Sequence, residues 1–212
     1  MVTHHASRFE CIVIGVSAGG MDALLKILPI LPADFPLPVV VVQHLDPHST
    51  DSYFAQYFNE RCPIEVREAN EREPVMVGNV YFAPPNYHLL IENDKTFSLS
   101  SDDKINFSRP SIDVLFESAA DVYGQALVGL ILTGASSDGA IGLKRIKENG
   151  GLTIVQDPKT AESNLMPLSA IQASPVDHIL SLQDIPNLLQ ELVMEHITDV
   201  PKTKKNKRGG LI

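Results

Sequence analysis

Ser17 lies in a glycine-rich turn between an apolar run and an amphipathic stretch, within residues 11–28 (CIVIGVSAGGMDALLKIL). Residues 15–19 fit G-x-S-x-G, a turn that projects a serine hydroxyl above the edge of a sheet. The apolar run is typical of a buried strand, and the apolar residues after Gly20 recur with helical spacing. This segment predicts a strand, a turn and a helix, with Ser17 as a candidate nucleophile. A phosphate-binding turn, or a turn with no further role, is the alternative.

A serine nucleophile needs a base to take its proton and a third group to orient that base. His44 follows the apolar run 39–42, and Asp138 lies in a glycine-flanked loop just beyond Leu132. Catalytic groups of open α/β sheets collect at the carboxyl edge of the strands, where the strand order reverses. Three strand ends therefore offer Ser17, His44 and Asp138 to one crevice.

The base and the acid each have a structural alternative. His44 alone is more often a loop or partly buried histidine, and His48, His88 and His178 compete for the role of base. Asp138 alone is more often a helix cap, because it precedes a predicted helix. The order Ser, His, Asp also disfavours the ordinary α/β-hydrolases, which run Ser, Asp, His along the chain.

The elements that must position these residues predict an α/β fold. Strands buried on both faces are expected at residues 11–14, 39–42, 127–132 and 152–155. Helices are expected at residues 21–31, 49–60, 112–123, 140–148, 167–173 and 185–196. Hairpin-like strands added to the sheet are expected at residues 75–83, 87–92 and 97–100. The prediction is a doubly wound, mostly parallel sheet flanked by helices, with a hairpin-like antiparallel insertion.

Composition limits the partners of the protein. The chain has 212 residues, of which 44% are hydrophobic, and this suits one domain at residues 9–196 between flexible ends at 1–8 and 197–212. The net charge is −9, although five basic residues and no acid follow Pro201, so the domain itself is more acidic still. Such a surface repels phosphate backbones, and we expect no nucleic-acid partner.

Cysteine usage and hydropathy predict a cytoplasmic location. Cys11 and Cys62 suggest neither a disulfide framework nor a metal knuckle, which fits a reducing compartment. No stretch approaches the roughly 18 apolar residues of a membrane span, and the N-terminus lacks the regions of a signal peptide. We therefore expect no insertion into a membrane.

Six segments, in the same order along the chain, resemble the C-terminal effector domain of the chemotaxis protein-glutamate methylesterases, the CheB-type enzymes. The resemblance covers residues 12–192 and includes IGVSAGG around Ser17 and VVQHL around His44. The other segments are GNVYFAPPNYHLLI (78–91), RPSIDVLF (109–116), LTGASSDGAIGL (132–143) and AESNLMPLSAI (161–171). The resemblance implies Ser17 as nucleophile, His44 as general base and acid, and Asp138 as the group that orients the histidine.

Members of this family hydrolyse methyl esters on glutamate side chains of chemoreceptor helices and deamidate selected glutamines there. The resemblance implies that Ser17 attacks the γ-carbonyl and that the backbone amides of Ala18 and Gly19 hold the oxyanion. It implies neither a metal nor an organic cofactor. The implied partners are cytoplasmic helices of methyl-accepting chemoreceptors or a similar methylated protein.

The sequence departs from the family pattern in two ways. Many chemotactic members carry threonine after the nucleophile and methionine in a T-G-M-G segment, where this chain has Ala18 and Ala135. Typical members also carry an N-terminal receiver domain, whereas about ten residues precede the first strand here. We expect a free-standing esterase, constitutively open or controlled by a separate receiver protein, or a piece of a longer chain.

Three further residues of these segments are interpreted as structural. His88 is expected in a loop, Arg109 paired with an acid near a helix start, and Met166 in a loop over the site.

The sequence alone is compatible with two other functions. A non-catalytic signalling scaffold of the same fold would bind a receptor or signalling partner, and the intact Ser17, His44 and Asp138 argue against it. A dinucleotide site is disfavoured because Ser17 replaces the second glycine of G-x-G-x-x-G. The leading hypothesis is a serine esterase and amidase that acts on glutamate and glutamine side chains.

Overall fold

Seven parallel strands form the central sheet of the computed structural model, which describes residues 8–44 and 53–194. The strands of these ranges are β1 Cys11–Val16, β2 Val39–Gln43, β3 Glu65–Glu68, β4 Asn79–Phe82, β5 His88–Ile91, β6 Phe97–Ser100, β7 Leu127–Ile131, β8 Leu152–Gln156 and β9 His178–Leu180. The central sheet has the order β3-β4-β2-β1-β7-β8-β9, and β5 and β6 form a separate antiparallel pair. This architecture agrees with the α/β class expected from the sequence.

Helices cover both faces of the central sheet. They are α1 Gly20–Ile27, α2 Tyr53–Asn59, α3 Ile112–Tyr123, α4 Ala140–Glu148, α5 Leu165–Ala173 and α6 Ile185–Met194. One buried cluster joins β1 to α1, α2 and α6, and a second joins it to α3, α4 and α5. Alternate residues of β1 belong to the two clusters, with Ile12 and Ile14 in one and Cys11 and Val13 in the other. Burial on both faces explains why the strand is apolar throughout.

The strand order reverses next to β1. The chain runs from β1 to β2 on one side and later enters β7 on the other side. The carboxyl ends of these three neighbouring parallel strands therefore border one crevice, which is where open α/β sheets bind ligands. Ser17 follows β1, His44 follows β2, and Asp138 lies between β7 and α4.

The predicted insertion is partly wrong. β5 and β6 form the expected hairpin, but they pack beside α3 and do not extend the central sheet. The segment 75–83 contains β4, which joins the central sheet in parallel with β2 and β3. The edge strands β3 and β9 were not predicted from the sequence.

The predicted helix at residues 21–31 ends earlier than expected. α1 ends at Ile27, and Leu28–Ile30 continues as a short 3₁₀ turn that contains Pro29, because proline lacks the amide hydrogen of a continuing helix. The predicted start of the next helix at residues 49–52, residues 195–196 of the last helix, and the tail 197–212 lie outside the described residues, as do the first seven residues of the N-terminal segment 1–8.

Candidate active site

Ser17 is held in the turn between β1 and α1 by close backbone packing. Its amide donates to the carbonyl of Thr133, in the loop after β7, over 3.0 Å. Gly19, the next residue but one, has a left-handed φ of 76°, a conformation that favours glycine. Gly134 packs so tightly that a Cβ there would lie 3.0 Å from Ser17 Cβ and 2.6 Å from Met166 Cε. The backbone of the turn is therefore fixed from the β7 side.

His44 lies beside this turn and binds Asp138. The amide of His44 donates to the carbonyl of Val16 over 3.0 Å, which joins the ends of β1 and β2. Its Nε2 lies 2.8 Å from Asp138 Oδ2. An ionised carboxylate can only accept a hydrogen bond, so Nε2 carries the hydrogen and Nδ1 is the basic atom of the neutral ring. In the chymotrypsin triad the carboxylate binds Nδ1, whereas here the opposite ring nitrogen, Nε2, faces the carboxylate.

Asp138 is completely buried and is surrounded by hydrogen-bond donors. Two of them are backbone amides at the start of α3. The donors are His44 Nε2 at 2.8 Å, the Ile112 amide at 2.7 Å, the Asp113 amide at 3.2 Å, Ser111 Oγ at 2.8 Å and Asn106 Nδ2 at 3.1 Å. Asp138 thus caps α3, whereas the sequence suggested a cap on the helix that follows it directly.

The same contacts keep Asp138 ionised. Burial by itself raises the pKa of this carboxyl, but the hydrogen bonds from the His44 ring and the Ile112 amide outweigh it and lower the pKa to about 2. The aspartate is therefore negatively charged at neutral pH and accepts a hydrogen bond from the imidazole.

A cavity of about 540 Å³ opens beside Ser17 and His44, between the loops 104–110 and 135–137. Within the described ranges, no hydrogen bond joins the Ser17 hydroxyl to the imidazole, and His44 Nδ1 instead lies 3.4 Å from Ser108 Oγ. Catalytic hydrogen bonds are often long in unliganded sites and tighten when substrate binds. The cavity brings a hydroxyl, an accessible basic nitrogen and space for a substrate side chain together. Acyl transfer is the chemistry that this combination can perform.

Comparison with known proteins decides the family. Residues 12–189 match the family model of the CheB methylesterases. The chain belongs to the CheB methylesterase family. This membership confirms the predicted hydrolase class and the resemblance on which it rested.

Individual CheB relatives match over most of the chain. A protein of Leptospira interrogans, provisionally named protein-glutamate methylesterase/protein-glutamine glutaminase, is 58% identical over 185 residues, or 87% of this chain and 95% of that protein. A protein-glutamate methylesterase/protein-glutamine glutaminase of Anaeromyxobacter dehalogenans is 40% identical over 187 residues, or 88% of this chain and 54% of its own length. The chain spans about half of that second relative.

The fold is also that of a CheB catalytic domain. The crystal structure of the Thermotoga maritima CheB methylesterase catalytic domain matches with a TM-score of 0.82 and 39% identity, and the match covers 87% of this chain and 98% of that domain. No helix between residues 8 and 44 or 53 and 194 is long and apolar enough to cross a membrane. The same ranges contain no group of three or more His, Cys, Asp and Glu side chains able to hold a metal ion.

Sequence reasoning missed Gln43, which joins the two strand ends of this CheB site. Its Nε2 donates to the carbonyls of Ser17 at 3.0 Å and His44 at 2.8 Å. Its Oε1 is buried without a hydrogen-bond partner among the described residues, and a Cβ on Gly20 would lie 2.1 Å from it. Gln43 therefore fixes the distance between the backbones of the candidate nucleophile and base. The signal was present in the sequence, because Gln43 is the polar end of an otherwise apolar strand.

Asn106 and Asp113 were also missed, and they form a second layer around Asp138. Asn106 Nδ2 lies 3.1 Å from Asp138 Oδ1 and 3.0 Å from Asp113 Oδ2, and the amide of Gly142 donates to Asp113 Oδ1 over 2.7 Å. Burial and the nearby negative charge of Asp138 raise the pKa of Asp113 to about 6, against the opposing effect of the Gly142 amide. The network therefore holds two carboxylates, and its surroundings disfavour the ionised form of Asp113.

Replacing Asp113 with Asn should remove a pH-dependent part of the free energy of unfolding. Its folded-state pKa of about 6 is above the ordinary value of 3.8, so the folded protein binds this proton more tightly than the unfolded chain. Asp113 therefore favours folding most at low pH, and this contribution is lost as the pH rises from 4 to 7, by about 2 kcal/mol. Urea unfolding of both proteins at pH 4 and pH 7 measures the difference. If the free energy of unfolding changes equally between pH 4 and pH 7 in the wild type and in Asp113→Asn, the prediction is wrong.

The histidines that compete with His44 occupy other positions. His88 is buried on β5, where Nδ1 accepts from the Ser111 amide at 3.1 Å and Nε2 lies 3.0 Å from the carbonyl of Asp103. His88 is in a strand, and the expected loop position was wrong. His178 lies on the edge strand β9, and His48 lies outside the described residues.

Arg109 and Met166 also differ from their predicted surroundings. Arg109 lines the cavity, and its Nη1 donates to the carbonyls of Ser101 at 2.6 Å and Asp102 at 2.9 Å, where an acidic partner was expected. Met166 belongs to α5 rather than to a loop, and it is buried, with its amide donating to the carbonyl of Gly134 over 2.9 Å. Met166 therefore supports the backbone that packs against Ser17.

Proposed function

We propose that this protein hydrolyses γ-methyl esters of glutamate side chains in other proteins and deamidates glutamine side chains at the same site. The proposal rests on the arrangement of Ser17, His44 and Asp138 beside an open cavity, at the edge of the sheet where the strand order reverses. Membership of the CheB methylesterase family and the two activities in the names of the relatives support this reaction class.

In the proposed reaction, Ser17 Oγ attacks the γ-carbonyl carbon while His44 Nδ1 takes the hydroxyl proton. Asp138 stabilises the imidazolium through Nε2. The tetrahedral intermediate then expels methanol, or ammonia from a glutamine, after His44 has returned the proton to that leaving group. Water hydrolyses the acyl-enzyme by the same steps and releases the glutamate carboxyl group and free Ser17.

The oxyanion of the intermediate is expected to bind at the turn after Ser17. Ala18 and Gly19 lead directly into α1, which begins at Gly20. Free backbone amides at a helix start favour a negative charge, and one oxyanion donor is worth about 3 kcal/mol of barrier in other enzymes. Ala18 and Ala135 have small side chains, and Ala135 lines the cavity. Oxyanion stabilisation in this site therefore relies on backbone amides.

We further propose cytoplasmic helices of methyl-accepting chemoreceptors, or a similar methylated helical protein, as the substrate. The site supports a side chain that projects from a regular surface, because the cavity is open beside Ser17 and is large enough for an extended glutamyl ester. Control by a separate receiver protein stays a prediction.

Methanol release from a methylated chemoreceptor cytoplasmic fragment tests the function. The wild type should release methanol from the methylated fragment and none from the same fragment without esters, and it should release ammonia from the glutamine form. N-acetylglutamate γ-methyl ester serves as a small substrate that needs no protein docking. If neither the fragment nor the small ester yields methanol, the proposed reaction is wrong.

A further inference from the structure

Phe107 lies at the tip of a tight turn on the rim of the cavity. Ile105 and Ser108 exchange two backbone hydrogen bonds, of 3.2 and 2.9 Å, around the central residues Asn106 and Phe107. These two residues have φ values of 50° and 64°, as in a type I′ turn. The turn belongs to the loop 104–110 that forms one wall of the cavity.

Neither the backbone nor the solvent favours phenylalanine at this position. A type I′ turn prefers asparagine followed by glycine, so Asn106 fits, while Phe107 occupies the place where glycine adopts a positive φ without strain. A bulky residue there is a genuine conformational outlier. Phe107 is also 96% exposed, more than any other exposed large hydrophobic residue of the described ranges, so it adds nothing to the core.

The two residues that flank Phe107 both contact residues of the candidate site. Asn106 Nδ2 binds the carboxylates of Asp138 and Asp113, and Ser108 Oγ lies 3.4 Å from His44 Nδ1. The backbone of Phe107 is therefore held at a fixed place relative to the site. Preorganisation of this kind lowers the entropic cost of binding, and strained residues that the surroundings hold in place are concentrated at functional sites.

We propose that Phe107 is a substrate-docking residue that contacts an apolar side chain one helical turn from the esterified glutamate. This inference rests on the proposed function. A glutamyl ester that enters the cavity from a helix brings the residues three and four positions away to the same face, and so to the rim. Lys104 lines the same wall and suits a glutamate carboxylate on the substrate helix. Exposed aromatic anchors often dominate the energy of such interfaces.

Replacing Phe107 with Gly tests the proposal without endangering the fold, because glycine relieves the strained backbone. We expect an unchanged or higher Tm. The ratio of kcat/KM for the methylated receptor fragment to kcat/KM for N-acetylglutamate γ-methyl ester should fall about tenfold. In a Ser17→Ala background, the affinity for the fragment measured by calorimetry should fall by a similar factor.

Two variants separate the ring from other effects. Phe107→Tyr keeps the aromatic ring and should keep the ratio within about twofold, and Val77→Ser removes an exposed apolar side chain outside the cavity lining and should leave the ratio unchanged. An unchanged ratio in Phe107→Gly, or an equal loss in Phe107→Tyr, overturns the inference. Wild-type self-association that Phe107→Gly abolishes also overturns it, in favour of a second copy of the chain as occupant. If the wild type hydrolyses neither substrate, the proposed function fails and this inference fails with it.

Discussion

Replacing Ser17 with Ala should lower kcat for methyl-ester hydrolysis by about 10⁶-fold, as loss of the nucleophile does in other serine hydrolases. The variant keeps the cavity, the His44 and Asp138 pair and the backbone hydrogen bonds of the turn, so it should fold as the wild type does. Methanol release measures kcat, and a serine-directed phosphonate followed by mass spectrometry shows which residue is modified. The wild type should carry the label on Ser17, and the variant should carry none.

A second serine provides the matched control. Ser108 Oγ lies 3.4 Å from His44 Nδ1, so a nucleophile identified only by its distance from the imidazole would be Ser108. Ser17 instead follows the central strand just before a helix begins, where we propose that the oxyanion binds. Ser108→Ala should therefore lower kcat less than about tenfold. Loss of labelling in Ser108→Ala, with labelling retained in Ser17→Ala, would assign the nucleophile to Ser108.

Replacing Asp138 with Asn should damage both catalysis and folding. We expect kcat to fall about 10⁴-fold, because an amide cannot hold the imidazole in the required tautomer or stabilise its positive charge. The free energy of unfolding at pH 7 should fall by about 3 kcal/mol, since the amide group replaces one of two accepting oxygens. The NH₂ of the substituted side chain can occupy either oxygen position of Asp138. In one orientation it faces the Ile112 amide, and in the other it faces the Asp113 amide and the Ser111 hydroxyl. Urea unfolding and single-turnover hydrolysis under folding conditions separate the two losses.

Asp177 is the control for a carboxylate with a purely structural task. It accepts hydrogen bonds from the amide and hydroxyl of Thr153 at 2.9 and 2.8 Å and pairs with Lys147, and it does not line the cavity. Asp177→Asn should lower the free energy of unfolding and leave kcat of the folded enzyme within about twofold. A folded Asp138→Asn enzyme with nearly normal kcat would show that Asp138 only supports the fold.

The central strands could be predicted because their environment leaves a local trace. β1, β2, β7 and β8 are buried on both faces and therefore apolar throughout, and the predicted bounds of α3 and α4 agree with the structure. The edge strands β3 and β9 could not be found in the same way, because each is only partly buried. Their pairing depends on the neighbouring strand, which a local pattern does not contain.

The placement of the candidate site was predictable to the extent that strand ends determine it. The rule that parallel strands present ligand groups at their carboxyl edge brought Ser17, His44 and Asp138 together. Which imidazole nitrogen faces Asp138, and the contacts of Gln43 and Asn106, could not be predicted. They arise from side chains that meet across loops, and Asn106 binds a carboxylate 32 positions away without any periodic signal.

Asp138 is under selection for two reasons, which are the stability of the fold and the proposed reaction. Since it caps the start of α3 as well as accepting a hydrogen bond from His44, a lineage that had abandoned hydrolysis would still lose stability by discarding it. An aspartate retained at this position in a relative would then be explained by folding alone, and it would not show that the relative is an active enzyme. Ser17 contributes only its backbone to the hydrogen bonds that hold its turn. Under the proposed mechanism, the identity of that side chain would therefore distinguish a working esterase from a descendant that only binds.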